Sequence, residues 1–71
     1  MAVWMKDVYS SNIREVGYDA EAKEMIVVFR KSGAVYAYPN VTEEQAEQLA
    51  NAPSVGSLFN AEFKHLPFRK R

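Results

Sequence analysis

The sequence predicts an α+β domain: a small antiparallel β-meander of three to four strands, followed by two short helices packed on one face. Three observations predict it. Strand-forming runs separated by short polar turns fill the first half of the chain. A Thr-x-x-Gln capping box then opens a helical half. Beyond Pro53, apolar residues recur at helical spacing. The 71 residues leave room for a single domain. At that size it buries only roughly 60% of its unfolded surface. Its expected parts are an N-terminal segment over 1–9, a core over 10–66 and a basic tail over 67–71.

Met1-Ala2-Val3-Trp4-Met5 opens the N-terminal segment, which reads as an edge strand or as a cover for the sheet. Ser10-Ser11-Asn12 is a turn, because short polar side chains bond to nearby backbone. Ile13 to Tyr18 carries strand formers around Gly17; a glycine there marks a bulge or a close backbone approach. Asp19 to Glu24 is too short for an independent helix and reads as a hairpin loop. Met25 to Arg30 is dense in β-branched and aromatic residues, and Val35-Tyr36-Ala37-Tyr38 resumes the pattern. Between them, Ser32-Gly33 suits a two-residue turn, and a longer turn through Lys31 also fits. Thr42-Glu43-Glu44-Gln45 starts a helix that runs to about Asn51, with Ala46, Leu49 and Ala50 inward, until Pro53 stops it. Glu43 and Glu44 suit its dipole. Ser54 is placed to cap a second helix, in which Val55, Phe59 and Phe63 recur every four residues. Leu58, Glu62 and Leu66 fill the adjoining row, and Pro67 closes the helix. Phe68-Arg69-Lys70-Arg71 reads as a mobile tail.

With the two-residue turn, Phe29 lies opposite Tyr36, and Val27 opposite Tyr38. Pairing Tyr18 with Met25 sets Val16 opposite Val27 and Arg14 opposite Phe29. Alternation then puts Arg14, Val16, Tyr18, Met25, Val27, Phe29, Tyr36 and Tyr38 on one face. Its side chains are the larger, so the helices are expected there. Ile13, Glu15, Gly17, Ile26, Val28, Arg30, Val35 and Ala37 make the other face, which the N-terminal segment or a partner would cover. Trp4 is read either as a plug for that second face or as the anchor of a contact.

One series of motifs carries more. Ser10-Ser11-x-Ile13, Gly17-Tyr18-Asp19, Val27-x-Phe29, Gly33, Tyr36-x-Tyr38, Ala52-x-Ser54-x-Gly56 and Phe59-Asn60 follow in an order and spacing that resembles the KTSC domain, over about residues 8 to 66. That family is named for the C-terminal end of some lysyl-tRNA synthetases, and it also occurs as small free-standing proteins in bacteria and their phages. The resemblance maps the family's central Tyr-x-Tyr onto Tyr36 and Tyr38. By association with a synthetase it implies RNA binding.

Composition narrows the function. With no cysteine, disulfides and thiolate metal sites are excluded. Nine basic residues balance nine acidic ones, which argues against tight, sequence-blind nucleic-acid binding but leaves room for a local patch. No apolar run approaches the length of a bilayer span, and no signal peptide is recognisable. His65 stands alone, without a nucleophile, an orienting acid or further metal ligands at a suggestive spacing. We therefore expect a cytoplasmic, non-enzymatic binding module without metal, cofactor or small-molecule substrate. The leading expectation is weak binding of RNA or another nucleic acid through Arg14, Arg30, Lys31, Lys64, Arg69, Lys70 and Arg71, with Tyr36 and Tyr38 able to stack bases. The alternative is a protein-interaction or self-association surface, homo-oligomeric or with another protein, formed by Trp4, Ile26, Val28, Val35 and Ala37.

Overall fold

The computed structural model describes residues 3–71. One antiparallel sheet contains β1 (Val3–Asp7), β2 (Ile13–Asp19), β3 (Glu24–Phe29), β4 (Val35–Pro39) and β5 (Arg69–Lys70), in that spatial order. Between β4 and β5 the chain forms α1 (Glu43–Ala50) and α2 (Val55–Glu62). The architecture is α+β, with five strands where three to four were expected. The additional strand comes from the supposed tail, which pairs with β4 through Tyr36–Lys70 and Ala37–Arg69.

The larger-chained face is the buried one. Val16, Tyr18, Met25, Val27 and Tyr38 pack against Ala46, Leu49, Val55, Phe59 and Phe63. Full burial of each large apolar side chain stabilises the fold by roughly 1.5–3 kcal/mol, so a chain this short commits its bulkiest residues to that layer. At α1 both bonds of the capping box form: Gln45 N donates to Thr42 Oγ1 at 3.2 Å, and Thr42 N to Gln45 Oε1 at 3.0 Å. Asn51 closes the helix. Ser54 occupies the corresponding position of α2, but its side chain makes no capping bond. That helix ends at Glu62, well before Pro67.

Two registers differ from expectation. The β3–β4 connection is the longer turn. Phe29 N bonds to Ala34 O, Gly33 takes φ of 71°, and Val27 faces Tyr36 while Met25 faces Tyr38. The shift is two residues, so every side chain keeps its face. In β2 the shift is a single residue. A bulge between Ile13 and Glu15 sets Ile13, not Arg14, opposite Phe29. Ile13 turns into the core at 1% exposure, and Arg14 turns out to solvent. An apolar side chain gains from that exchange and a guanidinium avoids desolvation, which is reason enough for the irregularity.

Trp4 does not plug the second face. It pairs with Tyr18 on the helix side, and its indole N–H donates to Glu43 Oε2 at 2.8 Å. Lys6, also on that side, donates to Asn51 Oδ1. On the reverse, one cross-strand row reads Met5, Gly17, Ile26, Ala37, Arg69. Its long flexible members come from the two edges, and Gly17 and Ala37 flank Ile26 between them. Ile26 and Ala37 are buried as a result, rather than open to a partner. Gly17 marks a close approach and not the bulge: a Cβ there would collide with Met5 Sδ and the carbonyl oxygen of Trp4.

Candidate nucleic-acid interface

An open groove of about 590 Å³ lies on the helix-bearing side, between α2, the adjoining ends of β3 and β4, and the segment leading into β5. Aromatic rings form its floor and walls. Strand alternation brings Phe29, Tyr36 and Tyr38 to this side. The phase of α2 adds Phe59, and the run into β5 adds Phe68. Edge-to-face contacts tie them together. Phe29 is 5.3 Å from Tyr36 and 5.8 Å from Phe59, between ring centroids. Tyr38 lies 5.8 Å from Phe59, and Phe68 lies 5.0 Å from Tyr36.

The rim is polar and cationic. Lys31 comes from the β3–β4 turn, and Lys64 from the turn after α2. Asn12, Ser32 and Asn60 add amide and hydroxyl groups. No carboxylate lines the groove among the described residues. Lys70 pairs with Tyr36 across β4 and β5, so it stands on the same side of the sheet. Tyr36 is half-buried, which leaves part of its ring free, whereas Tyr38 is 3% exposed and belongs to the core. Burial pushes the Tyr38 phenol above the ordinary tyrosine range, with Tyr36 adding to the effect.

The remaining expected contacts are dispersed. Arg14 is exposed and flanks a shallow hollow with Tyr9 and Arg30. The Arg30 guanidinium is engaged with the backbone, donating from Nε to Ser10 O at 3.0 Å and from Nη2 to Val8 O at 3.3 Å. Arg69 and Arg71 lie on the opposite side of the sheet, away from Tyr36. Arg69 reaches Glu24 in a two-bond fork, at 2.6 Å from Nη2 and 3.3 Å from Nε. Arg71 donates to Asp19 Oδ2 at 2.9 Å. These two cations are committed to nearly buried carboxylates. Backbone N–H donation from Ala22, reinforced by Arg71, holds the Asp19 carboxyl below the usual range. Val28 and Val35 remain half-buried on that side, separated from Trp4 by the sheet.

Sequence reasoning placed Phe59 in the core, where the structure also has it, without its edge on the groove, and placed Phe68 in a loose tail rather than in a groove wall. The alternation of Phe-Arg-Lys-Arg is too short to mark an edge strand by itself, and the carboxylates that meet its two arginines lie at a distant hairpin. Among the described residues no group of His, Asp and Glu is arranged to hold a metal ion. No described helix is long and apolar enough to cross a membrane.

Comparison with known proteins places this geometry. A protein of Stutzerimonas stutzeri (strain A1501), described as uncharacterised, is 42% identical over 60 residues, spanning 84% of this chain and 83% of that protein. The crystal structure of a KTSC domain protein from Yersinia pestis matches with a TM-score of 0.85 at 31% identity, covering 99% of both chains. The KTSC domain itself matches residues 9–68, a span that includes every aromatic ring of the groove. The chain therefore belongs to the KTSC domain family.

Proposed function

We propose that the protein is a binding module rather than an enzyme, and that the aromatic groove takes single-stranded nucleic acid, RNA in the first place. One observation carries the reading. In a chain of zero net charge, the groove gathers aromatic rings and two lysines with no carboxylate among the described residues that line it. Bases stack on such rings whatever their sequence, and lysines attract the phosphates between them. The charge balance of the whole chain is compatible with this local excess, because Arg69 and Arg71 neutralise Glu24 and Asp19 on the other side. An open hollow of this size admits a splayed base more readily than a stacked duplex. Such a module, without cysteine, suits the cytoplasm.

The test is titration of a labelled single-stranded RNA at low and at physiological salt. Three lysine contacts, from Lys31, Lys64 and Lys70, give an expected slope of log affinity against log salt of about −2. Tyr36→Ala should cost about 1–3 kcal/mol of binding, the worth of one stacked base. Absence of binding at low salt by folded protein ends this reading.

A second reading, contact with another protein or a second copy, has its own support. Val3 and Met5 are 51% and 39% exposed along the β1 edge. With Val28 and Val35 they leave an aliphatic strip on the reverse side. Sedimentation at micromolar concentration tests its self-association form, for which a dimer is the expected result.

A further inference from the structure

Consecutive side chains of an extended segment point to opposite sides of a sheet. In residues 68–71 this alternation splits one short segment between two surfaces. Phe68 lies on the groove side, 5.0 Å from the ring of Tyr36 and 5.7 Å from that of Tyr38. Lys70 follows on the same side. Arg69 and Arg71 project to the reverse, where they meet Glu24 and Asp19, whose side chains are 4% and 10% exposed. Those carboxylates are cross-strand neighbours at the β2–β3 hairpin. The pairing of β5 with β4 spans two residues, and Arg71 adds one bond from its N–H to Val35 O at 2.7 Å. So short a pairing is marginal by itself. Charge-assisted bonds are roughly twice as strong as neutral ones, and they supply the missing hold.

We propose that residues 67–71 form a strap whose Phe68 closes one wall of the aromatic groove, and that the Arg69–Glu24 and Arg71–Asp19 pairs on the reverse side are the clip that keeps it closed. As regulation of binding, this rests on the nucleic-acid reading above; the clip as a structural device does not. When the clip opens, the strap lifts. Tyr36 and Tyr38 then gain water, and a base in the groove loses both a wall and the nearby Lys70.

The full chain carrying Asp19→Asn together with Glu24→Gln tests it. Asparagine keeps the Oδ1 that accepts from Glu21 N and Ala22 N, so the hairpin is preserved. Tyrosine accessibility is read by photochemically induced nuclear polarisation, with the fully exposed Tyr9 as internal reference. The expected result is new signal from Tyr36 and Tyr38, with the Arg71 amide exchanging roughly tenfold faster while Met25 and Val27 stay protected. Unchanged tyrosine signals in the folded variant overturn the clip. RNA titration supplies a second arm. Loss of two negative charges should tighten binding by simple electrostatics, whereas the strap requires it to weaken by about tenfold. Unchanged or tighter binding, with the parent chain binding normally, overturns the strap's part in the groove. If the parent chain binds no RNA, the functional reading falls and tyrosine accessibility alone decides the strap. If the double variant does not fold, Arg69→Gln with Arg71→Gln opens the clip from the strap side and the same tyrosine signals are read. Rising Tyr36 and Tyr38 signals then support the clip, and flat ones overturn it.

Discussion

At Gly17 a single methyl group decides whether β1 can lie against β2. The obstacle to a Cβ includes the backbone carbonyl of Trp4, which cannot move aside as a flexible side chain could. Gly17→Ala should therefore destabilise the protein by about 1–3 kcal/mol, the range for overpacked sites, as urea unfolding would measure. An alanine as stable as the parent would contradict the close approach. The constraint was legible in the sequence, since a glycine amid strand formers already signals crowding or a bulge. Which of the two it was could not be read locally, because the colliding groups lie more than ten positions upstream. Arg14 shows the opposite case. Strict alternation assigned it to the core face, and only the bulge beside it, stabilised by burying Ile13, restored the cation to solvent.

The helices differ in how far local sequence specifies them. Both bonds of the α1 capping box are present, so Thr42→Ala should cost about 0.5–2 kcal/mol. Ser54 makes no such bond, and Ser54→Ala should change stability by less than about 0.5 kcal/mol, as for an ordinary surface substitution. Thermal unfolding of the two variants side by side checks the contrast; equal losses would contradict it. The box was readable because its partners are three residues apart. The fifth strand was not, because a two-residue pairing carries almost no periodic signal. Its ion partners at Asp19 and Glu24 lie 52 and 45 positions away. The same limit hid the groove: Phe29, Tyr36, Tyr38 and Phe59 were individually visible as core candidates, but their convergence with Phe68 depends on where residue 68 returns to the sheet.

Across the whole molecule, stability should depend on pH at both ends of the scale. The folded protein holds Asp19 below the ordinary carboxyl range, so this contribution is fully present above the unfolded value of about 3.9. It is lost as pH falls through the folded value. Burial raises Tyr18 and Tyr38, so their contributions are full below an unfolded value of about 10 and are lost as pH rises through the folded values. Urea midpoints measured across the pH range should fall on both sides. Asp19→Asn should flatten part of the acidic decline, and an unaltered acid limb would remove Asp19 from the account.

The indole bond between Trp4 and Glu43 gives the molecule a built-in optical reporter. Its one tryptophan touches the first turn of α1 from the outermost strand, so emission excited at the red edge follows the docking of that strand and little else. If the margin peels away before the centre melts, emission will change at a lower denaturant concentration than the far-ultraviolet ellipticity. Coincident curves would mean that five strands and two helices come apart as one cooperative unit.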